Sequence, residues 1–312
     1  MVCCKGEEFG GWCEPCSTCY VDPIDNKEYC IFHAPKDHKR VNDVKFNEQV
    51  HDLIEAAIAG KENCNLSGTV FPGDISFGQY GKARPLPPID FRQAIFSGPA
   101  VFSSATFSDK AIFSEAKFNA DADFREAVFS GETDFRWAKF PGRADFSSAT
   151  FNDMALFAEA EFSVYANLLE AFFKSEANFT GAIFGGETRF TSAIFREKAT
   201  FLSAKFAGRA DFTLTTFKGK ADFSSATFGA YVSFLVTTFS ADAAFKSTYF
   251  NDAAYFQLTT FSGNAAFSWA TFNGETVFEE EEKKTFNGTV LFNKVTAGNA
   301  KIFFRGVEVG RQ

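Results

Sequence analysis

The residues best able to do chemistry lie together near the start of this 312-residue chain. Six of its seven cysteines and two of its three histidines fall within the first 40 residues, as Cys3, Cys4, Cys13-Glu-Pro-Cys16-Ser-Thr-Cys19 and Cys30-Ile-Phe-His33. Pairs separated by two residues suit tetrahedral Zn2+, which takes thiolates and imidazoles two at a time from tight turns brought together by a loop. Cys13, Cys16, Cys30 and His33 are the preferred ligand set for one Zn2+. The register stays open, because Cys16 with Cys19 is an equally good knuckle and Cys4 can replace a member. Disulfides or free thiols are the competing use. The odd cysteine count, the spacing and the lack of a signal-peptide pattern favour metal.

Elsewhere the chain offers little to a catalyst. No cysteine follows Cys64 and no histidine follows His51, so Ser-His and Cys-His pairs are missing from most of the sequence. Cys64 itself occupies an inward position, and His38 and His51 read as surface or cap residues. The carboxylates Asp123, Asp145 and Asp211 repeat along the chain instead of converging, and no phosphate-cradling glycine loop occurs. A non-enzymatic protein is expected. No apolar stretch reaches the roughly 20 residues of a membrane span, so the expectation is a soluble, cytoplasmic protein with no membrane contact.

The elements that must position these residues are set by phenylalanine. From Phe91 to Phe278 it recurs at alternating spacings of five and six, filling 34 of 35 positions, with Leu168 the one substitute. Two residues earlier, 33 of the 35 positions are Ala or Thr, the exceptions being Ile89 and Val232. A strand puts i and i+2 on one face, so each unit points one slim and one bulky side chain inward. Intervals of five and six precess around a helical period, which excludes a single helical stripe.

Segments such as Ala144-Asp-Phe-Ser-Ser-Ala-Thr-Phe151 and Ala221-Asp-Phe-Ser-Ser-Ala-Thr-Phe228 resemble the pentapeptide-repeat family, and the resemblance runs from about Leu66 to Phe303. It implies an all-β fold: a right-handed, four-sided parallel β-helix, or β-solenoid, with one five-residue unit per side. This chain departs from the family pattern in using Phe nearly everywhere and in adding a residue on every second side. The longer gaps read Ser130-Gly-Glu, Gly185-Gly-Glu or Asn273-Gly-Glu, with Asp109, Asp153 and Asp252 in the same middle place. Gly and Asp tolerate left-handed backbone, so the extra residue is expected in a wide, left-handed corner. Leu214-Thr-Thr-Phe217, Val236-Thr-Thr-Phe239 and Leu258-Thr-Thr-Phe261 recur at 22, which selects a four-sided coil of about 22 residues. Stacking at about 4.8 Å per strand makes the main array a rod of roughly 40 Å.

Three segments follow. Residues 1–40 form the Cys/His module, 41–63 a linker and N-terminal capping helix, and 64–312 the solenoid. The helix is placed at residues 48–59, with Asn47 as its cap and Val50, Leu53, Ile54, Ala57 and Ile58 on its buried face. Two three-residue inserts, at Arg84–Pro88 and Glu279–Lys284, read as loops thrown off a corner. Phe286, Phe292 and Phe303 then resume the register, with Ala297 in one slot. Gly306–Gly310 reads as a further strand, so Phe303, Phe304, Val307 and Val309 form an open C-terminal edge suited to end-to-end dimerisation, which the resemblance also implies.

Function is left to the surface. Some family members are acidic rods that mimic DNA and occupy gyrase, and this chain has a net charge of −8. Yet from Phe91 to Phe278 there are 20 acidic and 16 basic residues, a net of −4. Duplex DNA of the same length, at one charge per 1.7 Å, carries about 24. DNA mimicry is therefore the second reading, and direct nucleic-acid binding is not expected. One column is distinctive: Thr106, Val128, Thr150, Phe172, Ile194, Thr216, Thr238 and Thr260 precede the phenylalanines of one side, and none is charged. Leu214, Leu235, Val236 and Leu258 flank its C-terminal part. The first reading is an interaction or scaffold protein that offers this strip, or its C-terminal end, to an unidentified protein or to a second copy. A purely structural, self-assembling rod is the third. β-Branched residues also simply suit exposed strands.

Overall fold

In the computed structural model, which describes residues 20–23, 26–39, 41–279, 288–297 and 301–305, the chain winds into a four-sided parallel β-solenoid. The first side runs from Cys64–Asn65 to Val290–Leu291, the second from Val70–Phe71 to Thr296–Ala297, and the third from Ile75–Ser76 to Ile302–Arg305, with 11 strands each. The fourth has 8, from Thr106–Phe107 to Thr260–Phe261. Each strand of the main array lies in parallel register with the one 22 residues on, as Ala122 with Ala144 and Val128 with Thr150. On the first and third sides strand N–H groups donate to the following coil (Phe113 N to Asp134 O, 2.6 Å), and on the second and fourth to the preceding one (Lys117 N to Ala94 O, 2.8 Å). Every coil is thereby bonded to both neighbours.

The interior is a set of phenyl ladders. Phe118 stacks on Phe140 at 4.8 Å and 7°, and Phe124 on Phe146 at 4.7 Å and 1°, while rings of the first and third sides meet edge to face, Phe113 against Phe124 at 5.6 Å and 87°. Both arrangements suit the ring quadrupole and add about 0.5–1.5 kcal/mol per pair to burial. The slim Ala positions leave room for this packing. Where Thr replaces Ala on the second and fourth sides, its hydroxyl is satisfied by the coil before: Thr237 Oγ1 donates to Phe212 O at 2.7 Å, and Thr248 Oγ1 to Phe223 O at 2.8 Å. Thr69 has no such partner among the described residues, since it sits in the first coil and nothing of the solenoid precedes it.

The corners correct one expectation. Left-handed backbone does not fall at the inserted glycines but in the five-residue gaps, at the second residue after the first-side and third-side core residues from Phe91 onward: Gln93, Ser104, Glu115, Glu126, Trp137 and on through Leu214, Val236 and Leu258, with φ between 54° and 61° at the non-glycine positions. Ala105 N donates to Phe102 O at 3.1 Å across Ser104, the i to i+3 bond of a type II turn. Such a conformation costs an L-residue about 1–2 kcal/mol. Here the Ser104 N–H also donates to Arg125 O of the next coil at 2.8 Å, which offsets that cost. The inserted glycines answer a different demand, close approach between coils: a Cβ on Gly186 would sit 1.6 Å from the Val164 carbonyl oxygen.

Both ends also depart from the expected pattern. The capping helix α1 spans Asp43–Gly60, with Asn42 as its cap (Asn42 Oδ1 accepts from Lys45 N) in place of Asn47, whose Nδ2 instead donates to Asp74 O at 2.8 Å. Its buried face begins a turn earlier than expected, at Phe46, which packs edge to face on Phe71 at 5.9 Å and 88°. Val50, Ile54 and Ala57 are buried, and Leu53 and Ile58 partly so. The Pro-rich insert does not simply leave a corner: buried Leu86 bridges to Phe107 and fills the fourth side of the first coil. After the acidic insert, Phe292 stacks on Phe267 at 4.9 Å as expected. Phe304, not Phe303, aligns with Phe278, because Phe303 pairs with Val277. The first coil is thus covered by α1, whereas Val290–Leu291 and Thr296–Ala297 at the other end are largely exposed.

Candidate functional site

Cys30 and His33 lie where the N-terminal segment meets the first coil. The N–H groups of His33 and Ala34 donate to the Cys30 carbonyl (3.1 and 2.8 Å), a tight turn that brings Cys30 Sγ to 3.1 Å from His33 Nδ1. His33 Nε2 lies 3.0 Å from the Ser67 carbonyl oxygen. That oxygen can only accept, so a neutral ring carries its proton on Nε2 and presents a lone pair at Nδ1. Ser67 is itself fixed, its N–H and Oγ–H both donating to Asn65 Oδ1. The neighbouring Phe32 carbonyl accepts from Val70 N at 2.8 Å, so residues 30–34 close the exposed edge of the second side. Both candidate ligands are buried, and Cys30 shares one hydrophobic cluster with α1 and the solenoid core.

Cys4, Cys13, Cys16 and Cys19 lie outside the described residues. Among the described residues no group of three or more possible ligands gathers. Cys64 is a core residue of the first side, as its spacing indicated, and burial pushes its thiol up to about 12. His38 stacks on Tyr20 at 4.1 Å, and His51 on α1 meets the Tyr80 hydroxyl at 3.1 Å. Lys39 was not foreseen: its Nζ donates to the Ile31 and Phe32 carbonyls over the Phe46 ring, and burial lowers it to about 7 against the pull of Cys30. An isolated lysine near a histidine gave no signal in the sequence.

The stacked carboxylates have a structural role. Asp123 Oδ1 accepts from the N–H and side chain of Arg125, and Asp145, Asp211 and Asp222 likewise accept from the N–H two residues on. Each aspartate ties down the turn that follows it. Burial works to raise the Asp123 pKa, but the Arg125 bonds outweigh it and hold the carboxyl below its usual range. Ion pairs with arginine neutralise part of the acidic column, as in Arg125–Asp123 and Arg136–Asp134, both at 2.7 Å.

The uncharged column forms a sheet of its own. Thr106, Val128, Thr150, Phe172, Ile194, Thr216, Thr238 and Thr260 succeed one another in register along the fourth side, half-buried except for exposed Ile194. Outward positions on the other sides include Asp90 and Asp222, Lys117 and Lys139, or Asp123 and Arg189. Leu214, Val236 and Leu258 occupy successive left-handed turns beside this sheet, 51, 38 and 46% exposed, and Leu235 adjoins them at 37%. The opposite rim carries exposed Lys174, Arg196 and Lys218, which follow the fourth-side phenylalanines of three successive coils at a spacing of 22 residues. At the C-terminal edge Phe303 is half-buried and the Phe304 backbone continues the third side, while Val307 and Val309 lie outside the described residues.

The family model for pentapeptide repeats (nine copies) matches residues 91–137 and 137–183. That match, over about 30% of the chain, and the four-sided solenoid together support a pentapeptide-repeat protein, an architecture that fits a rod-like interaction or structural scaffold. No curated protein and no solved structure matches it. Among the described residues no helix is long and apolar enough to cross a membrane.

Proposed function

We propose that the protein is a non-enzymatic interaction scaffold that presents its uncharged fourth side to a protein partner or to a second copy of itself. The observation that carries this reading is the asymmetry of the rod. One of four sides lacks charge over all 8 strands and is bordered by a run of exposed aliphatic residues that the core does not require. Leu214, Val236 and Leu258 are especially telling, since each places a large apolar side chain in solvent at a left-handed turn where the earlier coils of the same side have serine or glutamate, as at Ser104, Glu126, Ser148, Glu170 and Ser192. A contact surface would recoup that exposure at about 25 cal/mol per Å² of apolar area covered. Catalysis gains no support: Cys30 has no exposed surface to offer a substrate, and the aspartates are engaged in turns. Arginine pairing along the acidic column lowers the charge density that DNA mimicry would need.

The test is charge substitution on that side, Thr216→Glu, Thr238→Lys and Leu258→Glu together. The expected outcome is loss of self-association or of partner retention while the far-ultraviolet circular dichroism stays unchanged. Unaltered binding by a folded variant would reduce the strip to ordinary exposed β-structure.

A further inference from the structure

Given that the fourth side is a contact surface, as proposed above, we infer that its occupant is an acidic amphipathic α-helix of another protein, lying along the rod with carboxylates over Lys174, Arg196 and Lys218. The corner that follows the fourth side changes sign there. Its loops read Lys174-Ser-Glu176, Arg196-Glu-Lys198 and Lys218-Gly-Lys220, five basic residues against two acidic ones. The same corner reads Ser130-Gly-Glu132 and Asn152-Asp-Met154 before them, and Ser240-Ala-Asp242 and Ser262-Gly-Asn264 after them, all neutral or acidic. The fold therefore does not require cations at this corner, yet they gather on a chain whose net charge is −8. All five are exposed. Lys220 reaches Asp242 at 4.0 Å and Lys174 bonds to Asn152, but among the described residues Arg196, Lys198 and Lys218 have no carboxylate within ion-pair distance.

Apolar surface runs beside this basic island. Phe172 and Ile194 in the uncharged column, then Leu214, Val236 and Leu258 on the far rim, supply one large apolar side chain in each of five successive coils. At about 4.8 Å per coil the path is about 19 Å long, the length of about 13 helical residues. The helical pitch of about 5.4 Å nearly matches the coil spacing, so side chains at i, i+4 and i+7 of a helix along the rod meet successive coils. An extended segment, at about 6.8 Å between residues facing the same way, falls out of step. Carboxylates on one flank of the helix then face the cations while its apolar stripe covers the path. A nucleic-acid backbone would answer the cations but leave the apolar path in water. A second copy brings the same cations and the same uncharged column, which holds no carboxylate to pair with them.

A displayed library of random peptides of about 14 residues, panned on the full-length protein, tests this, with enriched peptides synthesised and titrated by fluorescence anisotropy. Lys174→Ser, Arg196→Ser and Lys218→Ser together install the residue found at Ser130, Ser240 and Ser262, which the same corner already accommodates. Enriched peptides are expected to carry Asp or Glu on one helical flank and aliphatic residues at i, i+4 and i+7. Their affinity should fall at least about tenfold in the triple-serine variant, with a shallower salt dependence. Replacing their acidic residues with Lys should abolish binding, and Lys174→Glu, Arg196→Glu and Lys218→Glu together should restore it. Enriched peptides without acidic residues, or with unchanged affinity for the serine variant, overturn the acidic helix. If those peptides are still lost from the Thr216→Glu, Thr238→Lys, Leu258→Glu variant, the fourth side stands as a contact surface. Acidic peptides that bind this last variant unchanged overturn both readings. No enrichment overturns the acidic helix, and self-association in sedimentation then makes the occupant a second copy.

Discussion

Val236 and Gly186 answer opposite backbone demands, and substituting each should shift stability in opposite directions. Val236 is a β-branched residue at φ 56°, a conformation that such residues rarely adopt. Val236→Gly relieves about 1–2 kcal/mol of strain and returns about 0.5–1 kcal/mol to chain entropy, for a net gain of up to about 1 kcal/mol in thermal or denaturant unfolding. Gly186→Ala drives a methyl into the Val164 carbonyl and should cost about 1–3 kcal/mol in the same measurement. His51 supplies the pH dependence. Burial lowers its pKa below the usual histidine value, with Asp52 opposing, so below about pH 6.5 the unfolded chain binds more protons than the folded one. Cap stability should therefore fall as pH drops through that range, and His51→Gln should flatten the profile of melting temperature against pH.

At the scale of elements, each coil depends on its neighbours, so damage should stay local. Phe146→Ala removes a ring stacked on Phe124 and should cost about 3–5 kcal/mol. Phe46→Ala strips α1 of its contacts with Phe32 and Phe71, and should speed amide exchange at Leu66 and Val70 while leaving the middle coils protected. Equal acceleration along the whole rod would contradict this picture of the cap. The sequence made the coil itself readable, because a 22-residue period copies each side chain's surroundings from the turn before. Its corners were less readable. Gly186 marks a collision between coils that are distant in sequence, and Ser104 or Glu115 shows no sign of left-handed backbone until the ladder bond that offsets its cost is known. The helix start was misplaced for a related reason: Phe46 looks like one more phenylalanine of the chain, and only its contact with Phe71 shows that it belongs to α1. Of the candidate site, the spacing picked out Cys30 and His33, but the Ser67 carbonyl and Lys39 that surround them come from folding.

For the whole molecule, the inward residues specify a rod and the outward columns distinguish its sides. Two modes of association can be told apart. Removing residues 286–312 takes away the C-terminal edge but leaves Thr216, Thr238 and Leu258 in place, so association through the uncharged side should survive the truncation, whereas end-to-end pairing should not. The most direct measurement is affinity capture of the full-length protein, with bound chains identified and quantified by mass spectrometry. The Thr216→Glu, Thr238→Lys, Leu258→Glu variant is compared with a control altered on the first side, Ala244→Lys with Ala266→Glu. The account predicts that a defined partner, or the chain itself, is retained by the unsubstituted protein and the control but lost from the fourth-side variant. Equal retention by all three folded proteins would contradict it.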